Sequence, residues 1–314
     1  MSRFLLQRLI ESLLVLWLMS FLVYLLIGLM PGDPIDLMIS ADPNLSSADA
    51  QRLREIYGLD QPLFSRYWAW LTSALSGDLG YSRLFNRPVE DILFPRLGNT
   101  LLLMSCALIL ALVIALPLGV AAARRPGSFL DVAVNLGAFA GASLPSFWLA
   151  ILLILLFAVT LGWLPAGGTG QEGLVERLRH LILPVVALSI ASVAGLLRHV
   201  RASVREALRQ DWVRTARAKG LSEGQVVYGH VLRNAMIPVI TILALELGTL
   251  FGGALITETV FAWLGMGKTI YDAIIGNDFN LALIGLLLAT ATVLLANLLA
   301  DLVYAWLDPR IDFR

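Results

Sequence analysis

Charged residues are scarce in this sequence. Asp, Glu, Lys and Arg make up 15% of 314 residues, against about a quarter in an ordinary soluble domain. Hydrophobic residues reach 58% and the mean hydropathy is +0.79. That leaves too little polar surface to wrap a core in water, which excludes a soluble globular protein and points to a lipid bilayer. The single cysteine, Cys106, excludes an intrachain disulfide and any cysteine-based metal site. Only three histidines are present, with no HExxH and no ligand-spaced pair. The 23 basic and 23 acidic residues cancel, so no global basic field calls for nucleic acid.

What is present is a series of apolar runs. The first, residues 9–30, is long enough at 1.5 Å per residue to cross a hydrocarbon core of about 30 Å. It exceeds the apolar region of a signal peptide and no small-residue cleavage site follows, so it reads as a retained helix ended by Pro31-Gly32-Asp33-Pro34. Five more runs lie at 99–123, 129–161, 181–198, 237–262 and 281–307. The 129–161 run is too long for one straight span, and Gly141 and Pro145 mark a bend inside it. The expectation is therefore an all-α membrane protein with six transmembrane helices. Residues 31–97 form a polar loop carrying two short helices. Ser46-Ser47-Ala48-Asp49 caps one that bears Ala50, Leu53, Ile56 and Tyr57. Phe64, Tyr67, Trp68, Leu71 and Leu75 line one face of the other.

Basic residues orient these spans. With the termini in the cytoplasm, the inside holds Arg3, Arg8, Arg124, Arg125, Arg310, Arg314 and eight basic residues from Arg198 to Arg233. The outside holds six arginines of the first loop with Arg177, Arg179 and Lys268. Fourteen against nine favours both termini in the cytoplasm, and the first loop also carries nine acids.

Few residues suggest chemistry. Ala262-Trp263-Leu264-Gly265-Met266-Gly267-Lys268-Thr269 approaches the phosphate-loop pattern, but Ala262 stands where its first glycine belongs, and the string follows a membrane helix. It reads as a turn between helices, and no nucleophile motif suggests an intramembrane enzyme. In the fifth run, Glu246, Thr249, Gly253 and Thr257 fall on one helix stripe, with Glu258 nearer the outer end. A carboxylate in hydrocarbon is costly, so these five are candidates for a pathway lining; close helix packing is the plainer alternative. The 199–236 segment is basic and helix-forming, with Gly220 as a hinge. A short helix with Leu221, Val226 and Val227 follows the hinge. It reads either as a solvated loop touching anionic lipid or as a docking element for a cytosolic partner.

The same segment carries a resemblance. Thr215-Ala216-Arg217-Ala218-Lys219-Gly220-Leu221, followed by His230-Val231-Leu232-Arg233-Asn234-Ala235-Met236-Ile237-Pro238, resembles the EAA-type loop of ABC importer permeases, in the form of the dipeptide, oligopeptide and nickel branch. Leu29-Met30-Pro31-Gly32-Asp33-Pro34, Tyr57-Gly58-Leu59-Asp60-Gln61-Pro62-Leu63, Gly77-Asp78-Leu79-Gly80 with Ser82, and Asp301, Tyr304 and Asp308-Pro309-Arg310 are similar to other parts of that branch. Arg214-Thr215-Ala216 stands where the general family has EAA, and Leu264-Gly265 where the branch has Pro-Gly.

The resemblance implies a type I importer permease with a helical extracytoplasmic loop between helices 1 and 2. Residues 1–98 would hold the first helix and that loop, and 99–314 the permease domain with its coupling loop at 199–236. Such a subunit sits in a bacterial or archaeal cytoplasmic membrane. It pairs with a second homologous permease, receives peptide from an extracytoplasmic substrate-binding protein, and is driven by two cytosolic ATPases that carry ATP and Mg. This chain would bind no cofactor or metal and hydrolyse nothing. The ATPases would couple through Thr215–Leu221, Ser222, Glu223, Val226, Val227 and Arg233. Nickel-chelate, glutathione and glycoside importers are alternatives within the branch. An ion-coupled secondary transporter is the other class, and it calls for more mid-depth charges than the spans hold.

Overall fold

Long apolar runs free of interior glycine–proline clusters fold as helices because only a helix satisfies its own backbone in lipid. A computed structural model of the chain describes residues 2–29, 61–170 and 172–307. Its helices are α1 (Ser2–Gly28), α2 (Leu63–Leu75), α3 (Val89–Arg124), α4 (Phe129–Ser143), α5 (Ser146–Leu153), α6 (Leu174–Ala207), α7 (Asp211–Ala218), α8 (Leu232–Val260), α9 (Met266–Ile275) and α10 (Phe279–Leu307). Seven-residue π-helical stretches, Ile154–Thr160 and Gln225–Val231, extend α5 and precede α8. Among the described residues, five segments are long and apolar enough to cross a membrane, and a sixth arises if α4 and α5 count as one broken span.

The break falls where expected. Pro145 forces Leu144 into an extended conformation with ψ 125°, and the two helices meet at 100°. Gly141 has another use: a Cβ there would lie 3.3 Å from Ile190 Cγ2, so the residue is a packing contact on α6. The second run, 99–123 in sequence, reaches back to Val89 because Glu90 and Asp91 suit a first helical turn. The capped helix at 46–57, the 30–34 turn and the 308–310 tail lie outside the described residues.

The chain divides into two compact units, Leu97–Lys268 with Val293–Arg314, and Ser2–Arg96 with Thr269–Thr292. In the first, α6 is the centre. In its apolar window 61% of residues are buried, against at most 28% in the other spans, and it packs on α4, α5 and α8. Leu181, Val185 and Leu188 meet Leu103, Met104 and Ala107 of α3. Asp131 of α4 receives a two-pronged grip from Arg201 of α6, with Nε–Oδ1 2.5 Å and Nη2–Oδ2 2.8 Å, and further bonds from Gly127 N and Asn135 Nδ2. Arg201, one of the basic residues of the 199–236 segment, is therefore spent inside the chain.

In the second unit, α2 lies against α1 through Tyr67, whose hydroxyl meets Ser20 Oγ at 2.7 Å and whose ring stands edge-on to Phe21 and Tyr24. The inward face of α2 is Leu63, Tyr67, Trp70 and Leu71, while Phe64, Trp68 and Leu75 are exposed, a rotation from the face read in sequence. A two-stranded hairpin follows, β1 (Tyr81–Ser82) and β2 (Arg87–Pro88), paired antiparallel. Buried Asp278, just ahead of α10, accepts from Leu281 N (3.2 Å), Ser82 Oγ (2.6 Å) and Leu84 N (3.0 Å), and so ties the hairpin to the start of that helix.

Candidate functional site

The 199–236 segment folds as a tight assembly at the ends of α3 and α6. α7 turns Val213 and Ala216 inward, three residues apart on one face, and leaves Arg214, Thr215, Arg217 and Ala218 exposed. It ends in a Schellman turn: Gly220 N donates to Arg217 O (2.9 Å) and Leu221 N to Ala216 O (3.4 Å), with Gly220 at φ +82°. Ser222 then opens the next helical segment with a capping box. Its backbone N donates to Gln225 Oε1 (2.9 Å) and Gln225 N donates to its Oγ (3.4 Å). The Ser222-Glu223-Gly224-Gln225 string is the sequence signal for this start, and the sequence reading passed over it.

An ion pair straps the two segments together across the turn. Arg217 Nε and Nη2 donate to Glu223 Oε1 and Oε2 at 2.8 and 3.2 Å. Arg217 holds the Glu223 carboxyl below its ordinary value of 4.5, and Arg124 adds to the effect. The strap is thus present at neutral pH and is lost only as the pH falls below the usual carboxylate range. Both side chains are about half exposed, so the pair sets geometry more than stability.

The segment after the capping box is not a separate short helix. It runs through Gln225–Val231 directly into α8, so the fifth run begins well before residue 237. Val226, Val227 and Val231 are fully buried among Val120, Ala123, Val200, Val204, Val213 and Val239. Leu221 packs against the same cluster. The expectation that Val226 and Val227 anchor a partner is therefore corrected: both are consumed by the chain's own core, because a helix that continues into a span must pack on its neighbours. The surface left for a partner is Thr215, Arg217, Ala218, Lys219, Gly220, Ser222, Glu223 and Arg233, with Tyr228 66% exposed among them.

The stripe on α8 faces α6. Ser192 Oγ donates to Glu246 Oε2 (3.1 Å), and a Cβ on Gly195 would lie 3.3 Å from Glu246 Oε1. Gly253 sits under Leu188, whose Cδ1 would be 3.2 Å from a Cβ. Thr257 is buried, and the side chain of Thr249 lies outside the described residues. Within this chain, Glu246 and Gly253 of the stripe pack against α6.

Glu258 is also corrected as a lining residue, because it is fully buried and holds the turn that follows it. Its carboxylate accepts from Thr100 Oγ1 (2.5 Å) and Lys268 N (2.9 Å), and Thr100 Oγ1 in turn accepts from Met266 N (2.8 Å). Asn99 completes the clasp, donating to Leu264 O (2.8 Å) and accepting from Trp263 Nε1 (3.2 Å). Two of the amides that a phosphate loop would present to a nucleotide, those of Met266 and Lys268, are thus already bonded within the chain. α8 itself ends in a second Schellman turn, with Ala262 N to Thr259 O (3.3 Å) and Trp263 N to Glu258 O (2.8 Å). Ala262 occupies the left-handed position at φ +48°, where a Cβ costs about 1–2 kcal/mol. Ala262→Gly should raise stability by about 1 kcal/mol once the added freedom of the unfolded chain is deducted, seen as a higher unfolding temperature in detergent.

Known proteins bear on this arrangement. The family of binding-protein-dependent transport system inner membrane components matches residues 115–313, and its N-terminal companion matches residues 1–104. The chain belongs to this family. It is a permease, a membrane-spanning component of an ABC transport system. The oligopeptide transport system permease protein AppB of Bacillus subtilis is 38% identical over the whole of both chains. A putative peptide permease protein of Brucella suis is 42% identical over 99% of each, and the glutathione transport system permease protein GsiC of Escherichia coli K12 is 37% identical over the whole of both. Among solved structures, the MetNI methionine ABC transporter in inward-facing form matches with TM-score 0.51 and 21% identity, over 67% of this chain and 94% of that one. An amino acid ABC transporter matches with TM-score 0.50 and 17% identity, over 76% and 98%. These two show the type of fold.

Several residues that shape the permease escaped the sequence. Asp131 is 70 positions from Arg201, and Asp278 is 196 from Ser82. Local signals existed in both cases: Ser128 Oγ accepts from Asp131 N as a helix cap, and Asp278 immediately precedes an apolar run.

Proposed function

We propose that this permease forms half of the membrane pathway of an ATP-driven importer that takes up peptides. What supports the cargo is similarity over the full chain to permeases named for oligopeptides, peptides and glutathione, the last itself a short peptide. A second homologous permease supplies the other half of the pathway, and an extracytoplasmic binding protein delivers the peptide. Two cytosolic ATPases hold ATP and Mg. They dock on the exposed face of the 211–225 segment, where Thr215, Arg217, Ala218, Lys219, Ser222 and Glu223 surround the Gly220 turn, with Arg233 alongside. Residues 1–98 carry the first helix and the extracytoplasmic loop, and 99–314 the permease domain. Glu246 is the residue of the α8 stripe best placed to meet the pathway, being only half-buried by this chain.

The cargo is tested by deleting the gene in its host and measuring growth on peptides that supply a required amino acid. Growth should be lost on peptides, kept on the free amino acid, and restored by the gene. Undiminished peptide growth in the absence of both this and any paralogous permease would refute the peptide assignment.

The orientation places both termini and the 211–225 segment in the cytoplasm, in keeping with the excess of basic residues there. With Cys106 replaced by Ala, a cysteine at Ser46 should react with an impermeant thiol reagent added to intact cells, and one at Ser222 only after the membrane is opened. The reverse pattern would invert the topology.

A further inference from the structure

The ends of α3, α6 and α7 border an open cleft of about 310 Å³ whose lining includes Arg124, Arg125, Arg205, Arg209 and Arg217. Five arginines share this lining with one carboxylate, Glu223, and that carboxylate is already bonded to Arg217. Among the described residues, the side chains of Arg124, Arg125, Arg205 and Arg209 make no hydrogen bond or ion pair, and Arg205 Nε is buried without a partner. One carboxylate, bonded to Arg217 and felt by Arg124, does not balance these cations: Arg124, Arg125 and Arg209 are exposed like charges around one concave space, and the buried Nε of Arg205 lacks an acceptor, which costs free energy.

We propose that this cavity binds a phosphate ester. The planar guanidinium fork matches phosphate oxygens two at a time, and several forks around one space suit an anion with more than one oxygen to share. The remaining lining, Ala123, Pro126 and Leu208, is apolar and suits the carbon part of an ester better than a bare ion. The cavity also lies where the apolar spans α3 and α6 end, and basic pockets at the cytoplasmic ends of spans take anionic headgroups. A phospholipid headgroup and a soluble phosphate share this chemistry, and the test separates them. Because Arg217 and Glu223 lie in the loop proposed for ATPase docking, occupancy would bear directly on that loop, whatever the cargo.

The full transporter complex is purified in detergent and titrated with two probes: cardiolipin, read by native mass spectrometry, and inorganic pyrophosphate, read by thermal shift. The parent is compared with Arg205→Gln/Arg209→Gln and Arg124→Gln/Arg125→Gln. Arg214→Gln, an exposed arginine of α7 outside the cavity, is the control, and elution profile and helix content verify folding. Each lost arginine should weaken binding about fivefold, so each pair about 25-fold, with a smaller change for the control. Loss confined to cardiolipin assigns the site to a lipid headgroup, and loss confined to pyrophosphate assigns it to a soluble phosphate; either supports an anion site. Unchanged binding of both probes in both double variants overturns the proposal, as does an equal effect of the control. Release of the ATPases with anion binding unchanged would mean that the arginines serve a protein interface, and the proposal would fall.

Discussion

Gly265→Ala should abolish most of the folded permease. The three atoms nearest a Cβ at this position all belong to Glu258: Cδ and Oε1 at 2.1 Å and Oε2 at 2.5 Å. No rotation of a methyl relieves such an overlap, so the carboxylate must leave or the turn must open. Either movement breaks the bonds from Thr100 Oγ1 and Lys268 N, and it strands buried polar groups at about 1–3 kcal/mol each. A loss of about 3–5 kcal/mol is a large part of the stability of a typical domain. Glu258→Ala removes the obstacle, so adding Gly265→Ala to it should cost under about 1 kcal/mol, far less than in the parent. Folded yield and unfolding temperature in detergent, measured for the parent, the two single variants and the double variant, decide the matter. Equal costs of Gly265→Ala in the two backgrounds would show that the carboxylate is not what the glycine accommodates.

Gly220→Val should leave the protein folded and inserted, yet uncouple it. A Cβ at Gly220 meets nothing within 4 Å, so the whole effect comes from the backbone at φ +82°. A β-branched residue resists that conformation by about 2 kcal/mol or more. The Schellman turn and the Arg217–Glu223 strap across it would then be displaced, while the buried cluster around Val213 and Val226 holds the helices in place. If the ATPases read the exposed face of this turn, about 2 kcal/mol corresponds to roughly a 30-fold loss of docking-competent complex. Co-purification of the ATPases should fall accordingly, with Gly220→Ala intermediate. Unaltered co-purification, ATP hydrolysis and uptake in Gly220→Val would remove this turn from the coupling surface.

How far these features could be read in advance depends on the range of the interaction behind them. The spans were legible because hydrocarbon demands continuous apolar helix, and the bend at Leu144-Pro145 followed from one residue pair. Gly220 was legible as a hinge from the helical pattern on either side. Val226 and Val227 misled, because an apolar residue beside charged ones looks the same in sequence whether it meets a partner or its own fold. Burial by Val120, Val200 and Val239 decides the case, and those neighbours come from α3, α6 and later turns of the same continuous helix. Glu258 misled in a similar way. A carboxylate near the end of a span suggests a water-filled mouth until Thr100, 158 positions earlier, is found against it. The glycines at 265 and 267 held the clue, since both leave room beside that carboxylate.

ATP-driven peptide import is measured most directly in proteoliposomes that contain this permease, its sister permease and the two ATPases, with binding protein and labelled peptide on the outer face. Uptake should require ATP and Mg at the face bearing the 211–225 segment, and should stop when a non-hydrolysable analogue replaces ATP. Peptide accumulation driven by a proton or sodium gradient in the absence of ATP would contradict this requirement.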